Sequence, residues 1–425
     1  MRHVILASLD WIRPGDPRTG LGTASIASSL RAAGHETVII ADAVNRAGFD
    51  PNAYIRRVVD AARAGGPSTL VGIGAFVWNE PEVVRLIPAV KALPGVRVVI
   101  GGPQVSFAGA GLLESLYPQA DFFVRGNGEG ALVSLATVEP AEGAFGLHTA
   151  GANDRAVKAD INLGSLPSPH LDGTLPIGEF VRWETQRGCP YACSFCQHRE
   201  PGVRLIRREL GGDRLRAEIA AFAAARVRRI AVLDPIFHVN RDRAVELLYE
   251  AASAGLQSEL SLQCRFELVN DAFLDALRGL NAVLEFGLQT TNEAESKAID
   301  RPNNMNKVSN VIDQLHARGI PFEVSLIYGL PRQTLATFRE SVTWCLEHRV
   351  PRVRAWPLML LRGTPLHAER GRWGFVESVG ERIPIVVASG TFSVEDHAEM
   401  VVLATSLEGT ALCARRMRRS LNVPG

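Results

Sequence analysis

Short apolar runs alternate with amphipathic segments along most of the chain, and this alternation restricts the fold more than any other feature. In the first third, "HVILASLD" (3–10), "TVIIAD" (37–42), "TLVGIGAFVW" (69–78), "VRVVIGG" (96–102) and "DFFVRG" (121–126) have the length and composition of buried strands. Helix-period segments such as "AYIRRVVDAARAGG" (53–66) separate them. The pattern predicts an α/β domain over residues 1–136, with a doubly wound parallel sheet and a ligand site at the carboxyl ends of the strands.

Glycines cluster at two of those strand ends. Gly101 and Gly102 follow the fourth run, and Gly126 and Gly128 follow the fifth. Glycine there would let the backbone approach a flat ligand or a phosphate, but it also serves tight turns. Both interpretations stay open. No G-x-G-x-x-G opens the first helix, so the sequence does not support a dinucleotide site.

A second alternating region follows residue 180. Strand-like runs lie in "FVRWETQRG", "RRIAVLDPIF", "LSLQCRFE", "AVLEFGLQT", "FEVSLIYGLP" and "VRAWPLML", with helical segments between them. Six such units predict a partial, TIM-like (β/α)6 barrel over residues 181–370, with active-site groups at the carboxyl ends of its strands. Residues 137–180 are polar and rich in glycine and proline, which predicts a linker, and 371–425 would form a small helical C-terminal region.

Three cysteines stand within one short loop after the first barrel strand, in "RGCPYACSFCQH" (187–198). Cys189, Cys193 and Cys196 are half of the chain's six cysteines. A zinc site usually takes four ligands in two pairs, and no second cysteine pair follows, although His198 could be a fourth ligand. Iron–sulfur ligation fits better, because three thiolates bind three irons of a [4Fe–4S] cluster and leave the fourth iron open.

Composition narrows the cellular setting. Sparse cysteine makes a disulfide framework improbable and favours metal or redox chemistry in the cytoplasm. A formal net charge of +1 gives no electrostatic argument for nucleic acid or a membrane as partner. We therefore expect a cytoplasmic enzyme without either partner.

The C-x-x-x-C-x-x-C spacing, with Phe195 immediately before the last cysteine, resembles the signature of the radical SAM superfamily. The resemblance implies that S-adenosylmethionine (SAM) chelates the open iron and that one electron from the cluster cleaves a carbon–sulfur bond of the sulfonium. It also implies a small electron-donor protein such as flavodoxin or ferredoxin as a partner.

The later strand ends resemble landmarks of the same superfamily. In "VLDPIF", Asp234 and Phe237 match a D-x-x-F that contacts the SAM amino group, and Arg265 and Glu267 in "QCRFE" would lie near its carboxylate and ribose. "YGLP" (328–331) and "LLRGTPL" (360–366) match later loops.

Two further residues complete the set that the resemblance implies for the barrel. In "EFGLQT", Gln289 would face the cofactor, and Glu285 on the same strand is a candidate catalytic residue. His238, beside the D-x-x-F, is a second candidate as a proton donor or acceptor, with a loop hydrogen bond as its alternative role.

The N-terminal domain resembles the cobalamin (B12)-binding, Rossmann-like domain that precedes the barrel in one large class of radical SAM enzymes. The resemblance lies in "GIGAFVWN", "VVIGGPQVS" and "ADFFVRGNGEGAL", so Trp78 and the four strand-end glycines become candidate cobalamin contacts. The D-x-H-x-x-G loop that supplies an axial histidine in many cobalamin proteins is absent. Cobalamin is thus a possible third cofactor beside the cluster and SAM.

Three hypotheses for the function follow. The first is a cobalamin-dependent radical SAM methyltransferase that acts on an unreactive centre of a small secondary metabolite. The second keeps the radical SAM chemistry but treats the first domain as a relic, with transfer of a SAM-derived fragment or a rearrangement as the reaction. The third is a non-catalytic iron–sulfur or corrinoid-binding protein.

Overall fold

The computed structural model describes residues 3–12, 20–138, 144–159, 161–199 and 208–420, with backbone only for 408–420. The chain divides into two compact units. The first comprises residues 1–182 and 209–225, and the second comprises 183–208 and 226–425. Within the described part of the chain, no helix is long and apolar enough to cross a membrane.

The first unit is built on a six-stranded sheet with the order β2-β1-β3-β4-β5-β6. Its first five strands are parallel, as the sequence predicts, and β6 joins the edge antiparallel to β5. The strands are β1 (His3–Asp10), β2 (Glu36–Ala43), β3 (Leu70–Gly74), β4 (Arg97–Gly101), β5 (Phe122–Val124) and β6 (Leu147–Thr149). The helices are α1 (Leu21–Ala32), α2 (Pro51–Gly65), α3 (Glu80–Lys91), α4 (Pro103–Ser106), α5 (Leu113–Leu116) and α6 (Glu129–Thr137).

Both faces of this sheet carry an apolar core. Alternate residues of β1 enter different clusters: Ile5 packs with Tyr54 of α2, while Leu6 packs with Leu30 of α1 and with α6. A strand that is apolar on both sides needs helices above and below it, which is the doubly wound arrangement that its continuous apolar run predicts. Asp50 starts α2 by accepting a hydrogen bond from the Asn52 N–H (2.8 Å).

The segment interpreted as a linker, residues 137–180, is folded in part. It contributes β6, and Asp154 forms a buried ion pair with Arg125 after β5 (Nη2–Oδ2 2.6 Å). Farther on, Ser168 Oγ donates to Glu218 of α7 (Gly212–Ala224), a helix that clusters with the first unit although it follows the first barrel strand. A glycine- and proline-rich composition does not reveal such pairings, because they join residues distant in sequence.

The second sheet has six strands in sequential order, β12-β11-β10-β9-β8-β7, which confirms the partial barrel. Its strands are β7 (Phe180–Trp183), β8 (Arg229–Val232), β9 (Glu259–Cys264), β10 (Ala282–Gln289), β11 (Phe322–Tyr328) and β12 (Val353–Pro357). The helices are α8 (Arg241–Ser253), α9 (Asp271–Ala276), α10 (Glu293–Ala298), α11 (Met305–Arg318), α12 (Leu335–Glu347) and α13 (Pro365–Ala368). A hairpin of β13 (Val376–Glu377) and β14 (Val386–Ala388) then leads to α14 (Val394–Ser420), which packs on β12 and α12.

The barrel strands separate an outer from an inner face. In β10, Leu284, Phe286 and Leu288 are buried, whereas Glu285 and Gln289 on the other face are only partly buried. Because strand side chains alternate between faces, the apolar set packs under the helices and the polar set lines the barrel interior. The interior of the barrel is therefore available for a polar site.

Candidate functional site

The three cysteines lie in one irregular loop after β7. The Cys189 N–H donates to the His198 carbonyl (2.8 Å) and the Cys196 N–H donates to the Cys193 carbonyl (3.2 Å), so backbone bonds fold the loop back on itself. The left-handed Gly188 (φ 75°) turns the chain into it. The loop is thus shaped by its own backbone and presents three thiols from one short stretch.

Two distant segments hold the loop. The Ser194 N–H donates to the Ile299 carbonyl (3.0 Å), and the Leu366 N–H donates to the Ser194 carbonyl (3.1 Å). Ile299 follows β10 and Leu366 follows β12, so these hydrogen bonds tie the loop to segments that leave the carboxyl ends of two other barrel strands. That position agrees with the expectation for a barrel active site.

The thiols fit a cluster better than a single metal ion. Among the residues that the structure describes, no three His, Cys, Asp or Glu side chains are placed to hold one metal ion. A [4Fe–4S] cluster has no such requirement, because each thiolate binds a different iron. Burial raises the pKa of the Cys196 thiol to about 11, while the hydrogen bond from the His198 N–H lowers it. Thiolates in this loop therefore need compensating positive charge.

Two arginines supply that charge. Arg301 Nη1 donates to Cys193 Sγ (3.6 Å), and the Arg265 guanidinium lies 3.9 Å from the centre of the Tyr191 ring in the same loop. Arg265 Nε also donates to Glu267 (2.9 Å). Among the described atoms, Arg265 Nη1 and Arg301 Nε are buried without a hydrogen-bond partner. Buried unpaired N–H groups are costly, so these two fit an anionic group of a bound ligand.

The three predicted site residues in the segment after β8, Asp234, Phe237 and His238, are buried. Asp234 accepts hydrogen bonds from Thr185. Burial raises the pKa of Asp234 to about 7, although these hydrogen bonds act to lower it. The Phe237 N–H donates to the Gln263 carbonyl (2.8 Å). His238 has no exposed surface, and its Nε2 bonds to the Arg265 carbonyl (3.1 Å). The structure thus places Asp234, Phe237 and His238 against neighbouring strands.

Glu285 lies on the barrel's inner face and accepts hydrogen bonds from Ser261 and Gln263 of β9. Burial raises its pKa, and the facing carboxylate of Glu323 raises it further. Gln289 ends β10 at a register shift and has a left-handed backbone (φ 72°). Such strained residues concentrate at functional sites. Phe195 is half-buried within the cysteine loop.

The strand-end glycines of the first unit have structural reasons of their own. A Cβ on Gly102 would lie 2.6 Å from the Ala75 carbonyl oxygen, and one on Gly126 would lie 3.1 Å from the Ala159 nitrogen. A Cβ on Gly128 would meet Ile26 at 3.0 Å, whereas Gly101 has only ordinary contacts. Close backbone approach therefore explains Gly102 and Gly126 without a ligand.

The same edge of the sheet carries a flat aromatic surface. Phe76 and Trp78 stack at 4.6 Å with an interplanar angle of 13°, and the Trp78 indole N–H donates to the Leu9 carbonyl (3.0 Å). Both rings are partly exposed, as is Trp11 after β1. A partly exposed aromatic surface at the carboxyl ends of parallel strands fits a large flat cofactor.

Sequence reasoning missed three residues near the barrel's carboxyl end. Arg301 lies between α10 and α11 in "DRPNN", and Tyr191 lies between two of the cysteines. Trp356 is 40% exposed, and its register with Ile327 puts it on the inner face of β12. The arginine after α10 and the tryptophan inside an apolar strand are visible in the sequence, but neither has a distinctive spacing.

A separate cavity of about 530 Å³ lies beside α10. Its charged walls include Lys297 and Arg372, which pair with Glu293 and Glu369 respectively. None of the residues predicted from the sequence lines it. The charges of its walls balance, and we place the candidate site at the cysteine loop, where the three thiols meet Arg265 and Arg301.

The fold and the loop together define a class: a cluster-binding α/β-barrel protein with a doubly wound domain at its N-terminal side. Comparison with known families identifies both parts. Residues 183–345 match the radical SAM superfamily, and residues 15–136 match the B12 binding domain. The chain thus combines a radical SAM domain with an N-terminal B12-binding domain, and these two domains imply a [4Fe–4S] cluster, SAM and cobalamin as cofactors.

Two curated methyltransferases are similar to this chain over most of its length. The chain is 27% identical over 328 residues to the cobalamin-dependent radical SAM methyltransferase TokK of Streptomyces tokunonensis, which covers 70% of this chain and 48% of that protein. It is 26% identical over 362 residues to the 2-(S-pantetheinyl)-carbapenam-3-carboxylate methyltransferase of Streptantibioticus cattleyicolor, covering 78% and 52% respectively. The chain thus spans about half the length of these relatives.

Solved structures share the fold. The radical S-adenosylmethionine methyltransferase TsrM of Kitasatospora setae, with cobalamin and a [4Fe–4S] cluster bound, aligns with a TM-score of 0.70 and 18% identity over 89% of this chain and 81% of that chain. The cobalamin-dependent radical enzyme OxsB aligns with a TM-score of 0.67 and 15% identity, covering 95% and 66%. At this identity the likeness establishes the architecture.

Proposed function

We propose that the chain is a cobalamin-dependent radical SAM methyltransferase that acts on an unreactive centre of a small secondary metabolite. One observation carries the proposal. The three-cysteine loop stands beside Arg265 and Arg301, each of which has one buried N–H donor without a partner among the described residues, in a chain that also has a B12-binding domain. A cluster carrier alone would not need those donors.

Different residues of the barrel would bind the cluster and SAM. Cys189, Cys193 and Cys196 would hold the cluster. Arg265 and Arg301 would bind the SAM carboxylate through the donors that have no partner within the described chain. Glu267, which is fixed by Arg265 and partly exposed, would accept a hydrogen bond from a hydroxyl or amino group of SAM.

The inner face of the barrel would receive the rest of the ligand. The exposed Trp356 indole offers an apolar wall for a base or for the substrate. Glu285, at the bottom of the same face, would keep a proton to higher pH than an exposed carboxyl group does, because burial raises its pKa. When bound, the cluster supplies the electron that cleaves SAM and cobalamin carries the methyl group. The protein's own contribution is to position these groups and to exclude water.

Cobalamin binding would not depend on histidine. The first unit's histidines are His3, His35, His148 and His170, and none follows β1, β3 or β4 at the aromatic edge. The surface of Phe76 and Trp78 would instead face the corrin. The missing histidine also favours a second candidate function, a radical SAM enzyme that has lost cobalamin and transfers a SAM-derived fragment.

The experiment that tests the proposal is anaerobic reconstitution with iron, sulfide and hydroxocobalamin, followed by removal of unbound corrinoid and metal analysis. About four irons and one cobalt per chain, with corrinoid absorption bands, would support it and justify a search for methyl transfer driven by a flavodoxin or ferredoxin. Iron without cobalt would favour the second candidate. An unchanged iron content in Cys193→Ala would contradict the radical SAM site altogether.

A further inference from the structure

Asp234 and the start of the cysteine loop are joined by a dense set of hydrogen bonds. Asp234 Oδ1 accepts from the Thr185 N–H (2.8 Å) and the Gln186 N–H (3.2 Å), and Oδ2 accepts from the Thr185 hydroxyl. All three donors belong to the stretch between β7 and Cys189. One carboxylate thus fixes the backbone that leads into the cysteine loop.

The contact is reciprocal. The Gln186 side chain reaches back and donates through Nε2 to the Ile236 carbonyl (2.6 Å) and the Phe237 carbonyl (3.5 Å). Immediately before Asp234 in the chain, the Leu233 N–H donates to the Trp183 carbonyl (2.7 Å). The ends of β7 and β8 therefore remain connected beyond the last sheet hydrogen bonds.

This arrangement leaves Asp234 no surface for a ligand. Asp234 is 0% exposed, and Thr185 and Gln186 are 2% and 4% exposed. A buried carboxylate persists because it is hydrogen-bonded, and removing it would leave two backbone N–H groups without acceptors. The role implied by the D-x-x-F resemblance, a direct contact with the SAM amino group, requires an accessible carboxylate instead.

We propose that Asp234 is a positioning residue: it holds Thr185 and Gln186 so that the loop presents Cys189, Cys193 and Cys196 together, and it does not bind SAM itself. This inference rests on the proposed function, because it assumes that the loop holds the cluster. The two roles predict different losses. Removing a positioning residue weakens retention of the cluster, whereas removing the charge of a residue that contacts SAM weakens SAM affinity.

Three variants test the two roles. Asp234→Ala removes every acceptor, and Thr185→Val removes only the hydroxyl donor. Asp234→Asn removes the negative charge but keeps Oδ1 as the acceptor for both N–H groups, and its Nδ2 can donate to the Thr185 hydroxyl oxygen in place of the present hydrogen bond. The readouts are iron per chain after anaerobic reconstitution, the rate of iron loss to EDTA, and the Kd for SAM of the cluster-loaded protein.

For a positioning residue, Asp234→Ala loses iron at least about tenfold faster than wild type and Thr185→Val is intermediate. Asp234→Asn retains iron and binds SAM within about threefold of wild type. Leu315→Ala, a buried residue of α11 outside the site, controls for general destabilisation and should retain its iron.

Two results would overturn the inference. One is wild-type iron retention in both Asp234→Ala and Thr185→Val. The other is an Asp234→Asn protein with full iron content and a Kd for SAM raised more than about tenfold, which would mean that the charge contacts SAM. If Asp234→Ala does not fold, the asparagine and valine variants still decide. Failure of the wild type to take up iron would instead contradict the proposed function.

Discussion

The Arg301 guanidinium connects β10 to the cysteine loop: Nη1 lies 3.6 Å from Cys193 Sγ, and Nη2 donates to the Gly287 carbonyl. Gly287 lies at the register shift of β10, where its carbonyl can receive a side chain instead of a neighbouring strand. The irregular strand end thereby fixes a positive charge beside a cluster ligand. This geometry gives Arg301 two partners from the protein and leaves Nε for a third.

We expect replacement of Arg301 to weaken SAM binding. A hydrogen bond to a charged group contributes about 1.5–3 kcal/mol, so Arg301→Gln should raise the Kd for SAM by about ten- to a hundredfold. Arg301→Lys should recover only part of it, because an ammonium cannot reach three acceptors in one plane. Equilibrium dialysis of cluster-loaded protein measures this effect. Arg278→Gln, an exposed position on the outer surface, is the matched control, and equal affinity in Arg301→Gln and wild type would contradict the assignment.

The stacking of Arg265 on Tyr191 predicts that SAM affinity depends on the tyrosine ring and not on its hydroxyl group. A cation–π contact contributes about 0.5–2 kcal/mol, so Tyr191→Leu should weaken SAM binding by about two- to thirtyfold. Tyr191→Phe keeps the ring and should bind SAM like wild type, which makes it the control. Isothermal titration under anaerobic conditions gives both values. A larger loss in the phenylalanine variant than in the leucine variant would show that the hydroxyl, not the ring, is used.

His238 should remain neutral at all ordinary pH values. Burial lowers its pKa to about 4, and the ring stacks on Phe273 at 4.6 Å. The neutral imidazole is thus favoured in the folded state. Its contribution to the free energy of unfolding, about 3 kcal/mol at most, is fully present above pH 6.5 and is lost as the pH falls toward 4.

An NMR titration of histidine-labelled protein, with His238→Phe used to assign the signal, measures this pKa directly. A value near 6.5 would show that water reaches the ring, and it would restore His238 as a candidate proton donor or acceptor. Measurements of the free energy of unfolding against pH would not isolate His238. Burial raises the pKa of Asp234 to about 7, so the stability contributed by Asp234 is lost as the pH rises, whereas that of His238 is lost as the pH falls. The direct titration avoids this cancellation.

The sequence predicted the first sheet because its apolar runs indicate strands that are buried on both faces. It predicted the second sheet because six strand-like runs alternate there with helical segments. It also predicted the cysteine loop, since three thiols at that spacing suit a [4Fe–4S] cluster with one open iron and suit a zinc site poorly. It did not distinguish ligand contacts from internal ones. Asp234 and Gly102 sit at strand ends where ligands bind, yet their partners Thr185 and Ala75 are parts of the protein. Such pairings depend on which strand ends lie side by side, which spacing along the chain does not encode.

Trp78 provides a test of the first unit. Its indole is fixed by the hydrogen bond to Leu9 and by Phe76, so the ring is preorganised and partly exposed. If it faces the corrin, Trp78→Ala should lose most of the retained cobalamin, and Trp78→Phe should keep part of it because stacking area is retained. Cobalt analysis and corrinoid absorbance after gel filtration give the ratio per chain.

Trp344→Ala serves as the control for this test, because Trp344 is also half-buried and stacked on a ring (3.8 Å from His348) but belongs to α12. It should retain cobalamin fully, and all variants should retain their iron, since the cluster loop belongs to the other unit. Full cobalamin in Trp78→Ala would remove this surface from the cofactor site. Cobalamin missing from the wild type as well would favour the enzyme that works without it, because the aromatic edge would then be a remnant with no ligand to hold.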